Sequence, residues 1–121
     1  MTNPSSQPPM PSVPGPVIAQ NNRPVLSLKA WQHAAECLRV LAHPVRLQIV
    51  QLLLTERCTV GEIAERCGIS PSQTSEHLKL LQRCGFLGCD KEARFAYYRV
   101  IEPELANIMC CIENKFQASA S

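Results

Sequence analysis

The 121-residue chain has no apolar run of 18 residues, about the least that a membrane-spanning helix requires, so no segment reads as a membrane span. Its amino terminus has neither the basic start nor the apolar stretch of a secretory signal, and the expected setting is cytoplasmic. It also lacks a phosphate-binding loop, a glycine-rich dinucleotide turn, a paired-carboxylate motif and any Cys-x-x-Cys beside a βαβ unit. These absences argue against an enzyme. No internal repeat is present. In a reducing compartment the 7 cysteines are expected to serve as thiols, metal ligands or redox sensors rather than as a disulfide framework.

What the chain does have is unevenly distributed. Residues 1–24 hold seven of its 10 prolines, interspersed with Ser, Asn and Gln. Such a stretch buries too little apolar surface to offset the entropy of ordering it, so it is expected to be a disordered tail. Residues 25–117 form the expected folded domain and 118–121 a flexible end. A domain of this size has a modest core, which dimerisation can extend. The net charge is +2. Between Ser70 and Val100 the bases Lys79, Arg83, Lys91, Arg94 and Arg99 outnumber Glu76, Asp90 and Glu92, a local bias compatible with nucleic acid.

Apolar periodicity predicts a first helix over Ser27–Ala42, with Leu28, Trp31, Ala35, Leu38 and Ala42 as its inward stripe. His33, Cys37 and Val40 project from another side, more than about 100° away. Pro44 opens a short, densely apolar second helix over Val45–Leu54. Thr59 and Glu62 form a capping box before the helical stripe Val60, Ile63, Ala64 and Cys67, which Gly68 ends. Ser70, Pro71 and Gln73 cap the next helix, with Thr74, Leu78 and Leu81 facing inward and Gly85 as terminator. Two capped helices joined by a tight glycine turn make a helix-turn-helix. Phe86–Asp90 and Arg94–Val100 then read as strands joined over residues 90–93. A last helix after Pro103 carries the stripe Leu105, Ile108, Met109, Ile112 and Phe116. The expected fold is mainly α with a small β-hairpin wing, a winged helix-turn-helix in the order α-α-α-α-β-β-α.

On the helix opened by Ser70, residues Ser72, Gln73, Glu76 and Lys79 face outward, with Ser75 and His77 at the margins. Gln can bond adenine, Ser can bond bases or phosphates, and Lys79 with Arg83 can neutralise phosphates. Lys91 and Arg94 place positive charge in the wing. Glu76 counts mildly against DNA, because a carboxylate there repels phosphate.

Several runs resemble one family. Leu41-Ala42-His43-Pro44-Val45-Arg46-Leu47, Val60-Gly61-Glu62-Ile63-Ala64, the stretch Ser70–Leu81 and the wing segment Arg94–Val100 are similar, in order, to four motifs of the ArsR/SmtB repressors. The resemblance covers roughly residues 28–116. It implies a homodimer built through the first and last helices, binding an inverted-repeat operator in double-stranded DNA and leaving it when an inducer binds. It carries over Ser72, Gln73, Ser75 and His77 as DNA contacts, with Arg94 from the wing.

The family's inducer sites are where this sequence departs. The Cys-x-Cys positions at the third helix read Thr59 and Gly61, with Cys58 one residue early. The zinc positions of the last helices read Glu102, Glu104, Lys115 and Ala118, which cannot complete a site. The second helix has no cysteine to form the oxidant-sensing pair. Cys110 and Cys111 remain, flanking the apolar stripe of the last helix. With Cys37, and with His33 as a further ligand, they form the candidate inducer site for As(III) or another thiophilic ion; no cofactor is required. The competing reading of every cysteine is a small buried hydrophobe, favoured for Cys67, Cys84 and Cys89, with Cys58 open. His43 reads as structural. Alternative functions are a redox or reactive-sulfur sensor, a repressor that senses nothing, or a winged-helix module that binds protein.

Overall fold

A computed structural model describes residues 23–120, and the side chains as far as Gln117. Only Arg23 and Pro24 of the expected tail fall among the described residues. The elements are α1 (Leu28–Leu41), α2 (Pro44–Thr55), β1 (Cys58–Thr59), α3 (Val60–Cys67), α4 (Pro71–Arg83), β2 (Leu87–Glu92), β3 (Phe95–Val100) and α5 (Leu105–Ala120). The chain is mainly helical with a three-stranded antiparallel sheet in the order β1-β3-β2, the expected winged helix-turn-helix. α5 runs three residues past the expected domain end at 117.

Backbone contacts divide the chain after Ala35 into two units. The described part of the first is residues 23–27, without regular structure, followed by the opening of α1. Ser27 starts that helix: its Oγ accepts from the Ala30 N–H at 3.1 Å and its carbonyl from the Trp31 N–H at 3.0 Å.

The second unit holds the core. Leu41, Ile49, Val50, Leu53, Ile63, Leu78, Leu81, Leu87, Leu105 and Met109 are buried together. The local signals set the helices as expected. His43 is the N-cap of α2, its Nδ1 accepting from the Val45 N–H at 3.2 Å, ahead of Pro44. Both capping boxes close, Thr59 with Glu62 and Ser70 with Gln73. Gly68 (φ 69°) and Gly85 (φ 81°) take the left-handed backbone that ends α3 and leaves α4, which L side chains adopt only with strain. Thr74, Leu78 and Leu81 are buried, so α4 packs on the expected face.

Four expectations need correction. The α1 stripe chosen as inward points outward: Leu28, Trp31 and Leu38 are 73%, 58% and 56% exposed, while Cys37 and Val40 are half-buried and Leu41 is buried. Periodicity locates an apolar face but not the neighbour that covers it. The stripe of α5 splits likewise, with Leu105 and Met109 in the core and Ile108 and Phe116 exposed. Cys58–Thr59, where only the Thr59 helix cap was expected, also forms a short strand that pairs with Tyr98 and Tyr97 of β3. The hairpin turn is also tighter than expected. Glu92 pairs with Phe95, so Ala93 and Arg94 alone make the turn, and Ala93 takes φ 56°.

Candidate nucleic-acid interface

α4 is fixed from beneath and open above. Its buried threonine carries one tie, the Thr74 hydroxyl donating to the Ser70 carbonyl at 2.9 Å. Ser72, Gln73, Glu76, Lys79 and Arg83 are exposed, and Ser75 is half-buried. Gln73 is already engaged. Its Oε1 accepts from the Ser70 N–H at 3.1 Å and the Ser70 hydroxyl at 3.2 Å. Its amide NH2 is the part that can reach a base edge while the cap holds, because bidentate adenine recognition needs the oxygen as well.

His77 sits differently from its α4 neighbours. It is half-buried, and its Nδ1 accepts from Arg46 Nε at 3.1 Å. Its ring lies 4.8 Å from that of His43. Burial, then Arg46, then His43 lower its pKa below 6.5. The ring is therefore a neutral acceptor that buttresses α4. The same Arg46 donates from Nη1 to the Val40 carbonyl at 3.0 Å, satisfying an acceptor at the carboxyl end of α1 that the helix leaves open. Arg46 thus joins the second half of α1, the start of α2 and the middle of α4.

The wing is held to the body by residues that sequence reading missed. Arg57, just before β1, makes a two-pronged pair with Glu92 at 2.6 and 2.9 Å, and its guanidinium lies 4.5 Å over the Tyr97 ring. Hydrogen bonding to Arg57 holds the Glu92 carboxyl below its usual range. Arg99 pairs with Asp90 at 2.7 Å and likewise lowers it. Only the pairing of β1 with β3 brings Arg57 to the wing, and no local pattern signals it. With Arg57, Arg66 and Arg99 paired, the cations of α4 and the wing without salt bridges among the described residues are Lys79, Arg83, Lys91 and Arg94. All four are exposed. Phe95, beside Arg94, is 53% exposed.

The candidate inducer residues lie on α1 and α5. Cys110 and Cys111 are exposed on α5, where the Cys110 sulfur accepts from Asn114 Nδ2 at 3.6 Å. His33 is exposed on α1. Cys37 is half-buried, and burial followed by the nearby Cys37 pushes the Cys84 thiol up to about 11. Among the described residues no three Cys, His, Asp or Glu side chains gather as a metal site. Cys58 is buried in the core, and the half-buried Cys89 faces Tyr98 across the hairpin.

Residues 43–87 match the family model described as "Bacterial regulatory protein, arsR family". A probable mercury resistance operon repressor from Streptomyces lividans is 33% identical over 75 residues, 62% of this chain and 60% of that protein. The transcriptional activator HlyU of Vibrio cholerae is 36% identical over 72 residues, 60% of this chain and 67% of its own length. A solved HlyU structure superposes with TM-score 0.67 at 30% identity, covering 74% of this chain and 98% of HlyU. NolR from Sinorhizobium fredii superposes with TM-score 0.69 at 27% identity, covering 77% and 96%. The relatives matched are transcriptional regulators.

Proposed function

Because the chain belongs to the ArsR family of bacterial transcriptional regulators, we propose that it is a homodimeric repressor that binds an inverted-repeat operator and leaves it when a thiol-reactive inducer binds. The observation that carries the DNA half is the set of exposed, unbridged cations on α4 and the wing, Lys79, Arg83, Lys91 and Arg94. Two such surfaces in a symmetric pair suit successive major grooves on one side of a duplex, with phosphate contacts setting register and Ser72, Ser75 and the Gln73 amide at base edges. His77 supports this surface rather than extending it. Dimerisation would cover the exposed side chains of α1 and of α5, Leu28, Trp31, Leu38, Ile108 and Phe116.

The inducer half rests on Cys110 and Cys111. Two adjacent exposed thiols on one helix are accessible to a soft cation and can be joined by ligands from a partner chain, where Cys37 and His33 are the candidates. That the similar Streptomyces protein is named for mercury resistance supports a thiophilic ligand. Arsenite is the alternative inducer of the same chemistry.

The test is release of the protein from duplex DNA of its own upstream region, followed by fluorescence anisotropy as arsenite or mercury(II) is added. Wild-type protein should dissociate at stoichiometric inducer, and Cys110→Ser/Cys111→Ser protein should stay bound. Equal release of both proteins would refute Cys110 and Cys111 as the sensor.

A further inference from the structure

A cleft of about 550 Å³ opens between α2, α3 and α5. Its depth is apolar, for Met109 is buried, and Leu52 and Cys67 are half-buried, where they line it. Burial pushes the Cys67 thiol up, so it stays protonated at neutral pH and adds a neutral sulfur to the apolar wall. Together with the Met109 thioether it gives the cleft a soft interior of the kind that packs well on an aromatic ring. A concavity of this size, apolar within and polar at a few points, has the form of a small-molecule site.

Charge at the rim selects the ligand. The ionised side chains that line the cleft are Arg66 from α3 and Glu113 from α5, both exposed. Arg66 is balanced by Glu56, whose carboxylate lies 3.3 Å from its Nη1. Glu113 has no basic partner among the described residues. Its Oε2 accepts from the neutral amide of Gln51 at 2.8 Å, a link from α5 to α2, which leaves the carboxylate room for further donors. The cleft thus presents an uncompensated negative charge beside an apolar interior. An organic cation meets both features. An anion would be repelled by Glu113 and would have to compete with Glu56 for Arg66.

We infer that this cleft is an effector site, separate from the exposed cysteines, for a small arylalkyl ammonium ion. The ring packs against Leu52, Met109 and Cys67, and the ammonium donates to Glu113 in a charge-assisted hydrogen bond. Binding is non-covalent. The walls give it a consequence: α3 is the first helix of the helix-turn-helix and passes through Gly68 to α4, while α5 carries the exposed Ile108 and Phe116 assigned above to the dimer. A ligand that touches α3 and α5 together biases their spacing, and with it the separation of the two α4 helices in a dimer. That consequence rests on the repressor reading above; the binding itself does not.

The experiment titrates the full-length protein with probes of similar shape and different charge: 2-phenylethylammonium, 2-phenylethanol and 3-phenylpropionate. Affinity is read from the amide NMR spectrum. The ammonium probe should shift the amides of Cys67, Ala106 and Met109 and bind about tenfold more tightly than the alcohol, with the carboxylate weakest. Glu113→Gln should erase the preference for ammonium over alcohol, a change that lost packing alone would not produce. Ala106→Trp, at an exposed position on α5, should fill the cleft and abolish binding of every probe. Should that variant fail to fold, Gln48→Trp on α2 fills it from the opposite wall. Equal affinity for ammonium and alcohol, tighter binding of the carboxylate, or an ammonium preference that survives Glu113→Gln overturns the ligand assignment. Binding undiminished by the tryptophan overturns the site. DNA affinity is read separately by anisotropy on duplex of the upstream region, where the ammonium probe should change the affinity of the wild type and not that of the tryptophan variant. Probe binding without that change overturns the effector role. Failure of the unliganded protein to bind DNA at all would instead refute the repressor reading and leave the ligand site standing.

Discussion

His77 shows how one side chain can carry a family motif and also tie two helices together. Its Nδ1 can accept from Arg46 only while that nitrogen is unprotonated. Burial, Arg46 and His43 all oppose the imidazolium, so its pKa in the fold lies below the 6.5 of an ordinary histidine. Between those two values the unfolded chain binds more protons than the folded one, so stability is full above about pH 6.5 and falls as the pH drops below it. Chemical denaturation followed from pH 7.5 to 5 should show that decline, and His77→Asn protein should show a shallower one. Asp90 and Glu92, lowered by their arginines, act in a more acidic window and leave this comparison intact. At neutral pH, His77→Ala should cost about 1–3 kcal/mol, because Arg46 loses an acceptor in a half-buried position.

At the scale of elements, what was legible in the sequence was local. Thr59 with Glu62, Ser70 with Gln73, and the glycines at 68 and 85 sit where a helix end demands them, and the structure closes each as read. Ser70→Ala should therefore destabilise the protein by about 1 kcal/mol, read as a shift in the urea midpoint with unchanged slope. It should also weaken DNA binding, since the cap orients Gln73. What was not legible was non-local. The two-residue β1 has too few positions for an alternation signal, and only its pairing with β3 defines it. The Arg57–Glu92 pair follows from that register. Ala93 is a smaller case, a left-handed position in a two-residue turn filled by a residue whose Cβ disfavours it.

Across the whole molecule, the apolar faces of α1 and α5 were found by periodicity but assigned to the wrong neighbour. Trp31, Leu38 and Phe116 are each more than half exposed, the apolar side chains that the proposed dimer would cover. Phe116→Glu should leave the single-chain fold intact, because its side chain contributes nothing to the core. It should shift the protein to monomer in sedimentation equilibrium, with operator affinity falling by about tenfold or more as the second half-site contact is lost.

The claim on which the rest depends is that α4 and the wing grip phosphates through Lys79, Arg83, Lys91 and Arg94. Operator affinity measured by anisotropy across a range of potassium chloride tests it most directly. Eight contacts in a dimer, at about 0.9 each, allow a log–log slope as steep as about −7, and Lys79→Ala should make it shallower by about 1.8, two contacts per dimer. An affinity indifferent to salt, or a Lys79→Ala slope equal to that of the wild type, would contradict the account.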